Sequence, residues 1–146
     1  MKYSLFLFTT LVFFIGILSG SIRAEDAPTA ADVTEAQAVI AAQMEAFMRN
    51  DGEAAFVFAA PAIKEMFHTP ETFMEMVRQQ YAPVYRPQYV EYLEPVTIGS
   101  NLMQPLILTG ENGMTVLARY ALSRQVGGDW RIIGVTLSPA PDQAPL

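Results

Sequence analysis

MTVLARYALSRQVGGDWRIIGVTL, residues 114–137, decides the fold. Apolar residues recur there at every second position, the period of a strand that buries one face. Met114, Val116, Ala118, Tyr120 and Leu122 point one way, while Thr115, Arg119 and Ser123 point the other with Leu117 and Ala121 among them. Gly127, Gly128 and Asp129 turn this strand, Met114–Gln125, into a last one, Trp130–Leu137. The last strand reads as apolar on both faces, Trp130 and Ile132 alternating against Ile133, Val135 and Leu137.

Upstream, Glu111, Asn112 and Gly113 form a hairpin turn, and two further strands fit before it, Leu102–Thr109 and Gln88–Ile98. Pro105 and Pro95 cannot donate to a ladder, so each demands a bulge or an edge position. Before Pro87 the period lengthens to that of helices. Val33, Ala36, Ile40, Met44 and Phe47 form one stripe of an amphipathic helix over Val33–Asn50, capped by Asp32 or Thr34 and stopped by Asn50, Asp51 and Gly52. A second helix fits Glu53–Ala60, and a helical turn follows from Ala62 to Phe67. Thr69 as cap and Pro70 in the first turn open a third helix through Tyr81, with Phe73, Met76, Val77 and Tyr81 on one face and Pro83 as its stop. Helices followed by an antiparallel meander make an α+β domain, N-terminal helices packed on a four-stranded antiparallel sheet. Apolar residues on the outer face of such a sheet suit a second copy, so a homodimer is expected.

The ends carry a different message. Lys2, the apolar run Leu5–Leu18 and the small residues leading to Ala24 make residues 1–24 a cleavable signal peptide, which directs the protein to the periplasm or the exterior. Residues 25–32 read as a flexible lead, 33–137 as one domain, and 138–146, with Pro139, Pro141 and Pro145, as a Pro-rich tail. The mature chain from Glu25 to Leu146 has 122 residues, long enough for a core without staples, and the sequence holds no cysteine. Lys2 and Arg23 are lost with the signal, so 7 basic residues face 15 acidic ones, a net charge of −8. Nucleic acid and an anionic membrane surface are unsuited partners for that field.

AFVFAAPAIKEMF (55–67), FMEMVRQQYAPVYRP (73–87), Gln104, the turn at Asn112 and Gly113, and DWRIIGVTL (129–137) resemble domain-of-unknown-function family 4864, small exported bacterial proteins. The resemblance spans nearly the whole mature chain. It implies the cone-shaped α+β fold of the nuclear-transport-factor-two-like superfamily, in which helices close over a curved antiparallel sheet. That superfamily holds isomerases, cyclases and dehydratases beside non-catalytic binding and dimerising members, and the fold alone does not choose among them.

Isomerase-type chemistry needs a carboxylate base in an apolar pocket and a donor, commonly tyrosine, for the developing enolate. Tyr81, Tyr85, Tyr89, Tyr92 and Tyr120 supply donors, but Asp51, Glu91, Glu111 and Asp129 fall in positions that read as solvated or capping. Three amides fall at inward positions. Gln80 lies in the middle of its helix's apolar stripe, Gln43 borders the first helix's stripe, and Gln104 falls between Leu102 and Leu106. Each must find partners, by lining a pocket or by bonding backbone. The candidate pocket residues are Gln43, Gln80, Tyr81, Tyr89, Gln104, Tyr120 and Trp130. Glu65 and His68 have a ligand spacing without companions, and Met44, Met48, Met74 and Met76 read as core filler, so neither a metal nor a cofactor is expected. The expected role is binding of a small apolar ligand or a protein partner without catalysis. The alternative is an isomerase or dehydratase using a tyrosine donor and a pocket carboxylate.

Overall fold

The computed structural model describes residues 27–141. The expected signal peptide, residues 1–24, and the end of the expected tail lie outside the described residues. Five helices precede five strands: α1 (Ala30–Met48), α2 (Gly52–Val57), α3 (Pro61–Phe67), α4 (Pro70–Gln80), α5 (Ala82–Tyr85), then β1 (Pro87–Tyr92), β2 (Val96–Ile98), β3 (Asn101–Gly110), β4 (Thr115–Arg124) and β5 (Trp130–Pro139).

Helix α1 starts three residues before the position its apolar stripe suggests. Thr29 is the cap, because Thr29 Oγ1 accepts from the Asp32 N–H while the Asp32 carboxylate accepts from the Thr29 N–H at 2.7 Å, a reciprocal capping box. Asp32 also pairs with Arg124 at the end of β4, which ties the start of the helix to the sheet. At the other end Asn50 takes a left-handed φ of 57°, and Asp51 caps α2 through the Ala54 N–H at 3.0 Å. Gly52 then passes so close to α4 that a Cβ there would sit 2.7 Å from Met74 Cγ. Thr69 and Pro70 open α4 as expected. Pro83 does not simply stop the chain, since it falls inside the additional short helix α5.

The strands form one antiparallel sheet in the order β1-β3-β4-β5, with β2 also paired to β3. A single strand over Gln88–Ile98 is therefore corrected to two, β1 and β2, and the sheet has five strands rather than four. The break falls at residues 93–95, opposite Pro105. Leu93 N–H donates to the Pro105 carbonyl at 3.0 Å, so Pro105 turns its backbone toward this edge, where it has no N–H to offer. Pro105 has no N–H to return to Leu93, and Pro95, two residues further on, has none either, so the ladder is interrupted between Tyr92 and Val96.

In β3, Leu102, Gln104, Leu106, Leu108 and Gly110 are buried and the residues between them are not. Ala118, Tyr120 and Leu122 of β4 share that inner face, while Met114 precedes the strand and is exposed. The two-sided reading of β5 is corrected by a bulge. Ala121 pairs with Gly134 and Leu122 with Ile132, which leaves Ile133 as an extra residue. The alternation resets there, so Trp130 and Ile132 before it and Val135 and Leu137 after it all pair with inner-face positions of β4. The beginning of β5 is also bonded to the linker after α2, with Ala60 N–H donating to the Ile132 carbonyl and Ile132 N–H to the Phe58 carbonyl. The core between helices and sheet joins Ile40, Met44 and Phe47 of α1 and Phe73 and Val77 of α4 to the inner residues of the strands. Phe73 is its aromatic hub, with ring centroids of Phe56, Phe67 and Phe47 at 5.2, 5.7 and 6.0 Å.

Candidate functional site

Between the helices and β5 lies a cavity of about 410 Å³. Gln43 and Phe47 of α1 form one wall, Ile63, Met66 and Phe67 of α3 a second, and Phe73, Met76 and Val77 of α4 a third. Ile132 through Val135, the bulged stretch of β5, line the side facing α3, and Gln80, Tyr81 and Val84 finish the enclosure. Met66 is 70 % exposed and Gln80 is exposed, so both stand where the cavity meets solvent. No acidic or basic side chain lines it.

Its polar side chains are few: Gln43, Gln80 and Tyr81. Gln43 is buried, and its Nε2 donates to the Ala55 carbonyl at 3.2 Å. Tyr81 Oη donates to the Val135 carbonyl at 3.2 Å, across the mouth of the β5 bulge. Gln80 is not in the middle of a buried stripe: α4 buries Phe73, Met74 and Val77, and the helix ends at Gln80, which leaves that side chain at the rim. Three of the seven candidates, Gln43, Gln80 and Tyr81, therefore converge on one cavity.

The other four lie elsewhere. Gln104 is fully buried at the break between β1 and β2, where its Nε2 donates to the Leu93 and Pro105 carbonyls at 2.7 and 2.8 Å and its Oε1 accepts from Gln37 Nε2 at 2.9 Å. It takes the place of the missing strand backbone, which is the structural reading of a buried amide. Tyr89 stands on the outer face, 53 % exposed, donating to Glu91 at 3.3 Å. The Glu91 charge raises the Tyr89 hydroxyl above its usual range. Tyr120 is fully buried and its hydroxyl has no partner among the described residues; burial, with Tyr92 nearby, pushes its ionisation far up. Trp130 is buried under the Arg124 guanidinium, 5.1 Å from the ring, and its indole N–H is likewise unpaired.

A second polar group gathers where α1, α4 and α5 meet. Asn50 Oδ1 accepts from Arg78 at 2.9 Å and from the Tyr85 hydroxyl at 3.0 Å. Hydrogen bonding to Arg86, and then to Arg78, draws the Tyr85 hydroxyl below its ordinary range against the opposing effect of burial. These contacts lock three helix ends together.

Sequence reasoning missed Gln37, the partner of Gln104. Its place four residues after Val33 and three before Ile40 puts it on the α1 stripe, a signal that was available. It also missed the cavity wall at Ile133 and Gly134, for which a glycine inside a strand was the cue.

Over residues 29–145 the chain matches the family described as Domain of unknown function (DUF4864), and it belongs to that family. No curated protein and no solved structure matches it.

Proposed function

We propose that this protein binds a small, largely apolar molecule in the cavity between α1, α3, α4 and β5 and performs no chemistry on it. The size is in the range of ligand pockets, and the lining is apolar with a few convergent polar groups. One observation carries the reading: no carboxylate or imidazole among the described residues lines the cavity, and the one hydroxyl there, Tyr81 Oη, gives its hydrogen to the Val135 carbonyl. Stabilising an enolate requires donors aimed at the substrate and a base beside it. This cavity offers no base among its described lining residues, and the hydrogen of its one hydroxyl is already given away. The tyrosine–carboxylate contact of Tyr89 with Glu91 lies in solvent on the opposite face, so the isomerase or dehydratase alternative draws no support from it. The test is a cavity-filling variant, Ile63→Trp, with binding of the neutral fluorescent probe N-phenyl-1-naphthylamine as readout. Wild type should bind the probe and the variant should lose most of that binding while melting at a similar temperature. Equal binding by both would defeat the proposal.

Helices on one face of the sheet and a cavity at their junction support the cone-shaped, nuclear-transport-factor-two-like architecture. Export belongs to the same proposal, on the strength of residues 1–24; the mass of the protein purified from its own cells should begin at Glu25. Among the described residues no helix is long and apolar enough to cross a membrane.

For the uncovered face of the sheet we propose a second copy of this chain. Met103, Pro105 and Ile107 of β3 and Leu117 and Ala121 of β4 alternate with the buried residues and are only partly covered, and Val96 and Ile98 beside them are 52 % and 58 % exposed. Opposite charges flank this row. Glu91 pairs with Ile107 from the β1 side, and Arg119 pairs with Pro105 from the β4 side. A two-fold axis along β3 sets β1 of one copy over β4 of the other, which brings each Glu91 to within about 7 Å along the strand of the other copy's Arg119.

A further inference from the structure

Resting on the proposed binding role, we infer that the ligand is a neutral molecule whose polar end is a hydrogen-bond donor, a hydroxyl or an N–H on an aliphatic body, and that the cavity discriminates against carboxylates. Only the nitrogen of an amide can donate, so the bond from Gln43 Nε2 to the Ala55 carbonyl fixes which end of the side chain is which. Oε1 is the end left over, and no donor among the described residues meets it. Tyr81 presents the same chemistry. Its hydrogen goes to the Val135 carbonyl, and its oxygen keeps lone pairs that can only accept. Gln43 Oε1 and Tyr81 Oη thus stand as acceptors in an apolar enclosure, beside the second Nε2 hydrogen of Gln43 and the Gln80 amide at the rim, with no cation among the described lining residues.

A ligand carrying a hydroxyl or N–H gives a hydrogen to an acceptor that no donor among the described residues meets. An ether of the same length cannot. A carboxylate brings a charge out of water to meet oxygen lone pairs, with no cation and only neutral amide N–H groups to compensate its lost hydration. The order of affinity follows as alcohol, then ether, then carboxylate, and the step from alcohol to ether is about tenfold. The bulge at Ile133 contributes to this arrangement because it sets the Val135 carbonyl where Tyr81 reaches it.

The experiment is calorimetric or probe-displacement titration of the purified full-length mature protein with decanol, decyl methyl ether and decanoate at pH 8. Decanol should bind about tenfold more tightly than the ether and decanoate most weakly. In Gln43→Leu the preference for decanol over the ether should fall to near parity while the ether still binds. Tyr81→Phe, which keeps the ring, serves the same comparison if the leucine variant does not fold. Decanoate binding as well as decanol overturns the inference, as does a decanol preference unchanged in both variants. Failure of all three compounds to bind overturns the binding role itself, so the two failures are told apart.

Discussion

Replacing Tyr120 by phenylalanine should stabilise this protein, against the usual direction for a buried tyrosine. The ring is fully buried on β4 and its hydroxyl meets no partner. A hydroxyl buried without a hydrogen bond costs about 1–3 kcal/mol by comparison with protein mutational data. Deleting the oxygen leaves a void the size of one atom, which gives back less than about 0.5 kcal/mol at the usual cavity cost. Tyr120→Phe should therefore gain about 1 kcal/mol at pH 8, where a hydrogen-bonded tyrosine would lose about that much. The second part of the prediction concerns alkali. Burial raises the Tyr120 ionisation well above its unfolded value of about 10, so above pH 10 the unfolded chain gives up a proton that the folded protein keeps. Ionisation then favours the unfolded state, and stability falls by about 1.4 kcal/mol per pH unit from this residue. Phenylalanine has no such proton. The advantage of the variant should widen by about 1.4 kcal/mol between pH 8 and pH 11. Urea unfolding of both proteins at the two pH values measures it, with the other tyrosines common to both. A variant less stable by 1 kcal/mol at both pH values, with no widening, would refute the reasoning and place a hydrogen-bond partner on the hydroxyl.

Gln104→Ala should cost about 2–4 kcal/mol in the same assay, because it leaves the Leu93 carbonyl buried at the strand break and Gln37 without its acceptor; a loss under 0.5 kcal/mol would show that the amide does not hold the break. For the second copy, light scattering at micromolar concentration should report a pair of chains. Arg119→Glu should shift it toward monomer and Glu91→Arg with Arg119→Glu should restore it, whereas an unchanged mass in the single variant would remove the proposed axis.

Much of the fold was legible because it rests on local signals. Thr69 with Pro70, the Asn112-Gly113 turn, and the change of period near Pro87 each act within a few residues, and the elements begin and end near them. The apolar stripe starts the first helix three residues late because the true cap, Thr29, lies outside that stripe, whereas Asp32 borders it. The split of β1 from β2 was half visible: Pro95 and Pro105 each announced trouble, but only pairing shows that they fall at the same break in one ladder. The bulge in β5 defeated a strict period of two, and with it the reading of an apolar outer face on that strand. The site was less legible. Gln43, Gln80 and Tyr81 meet only because α1, α4 and β5 close on one space, and Gln104, with the same inward signature as Gln43, serves a gap in backbone pairing instead. Burial of an amide is written in the spacing of its neighbours; what it bonds is decided by elements far away in the chain.

The rims of the sheet have a consequence for how this protein behaves when concentrated. One rim is cut in the middle at residues 93–95, and the other is occupied at Ile132 by Phe58 and Ala60, at Val135 by Tyr81, and closes on Pro139. A neighbouring molecule finds no continuous row of free amides along which to lay a ribbon of its own. Threads that lengthen by lateral addition have no starting point, so crowding this protein should yield pairs and not filaments.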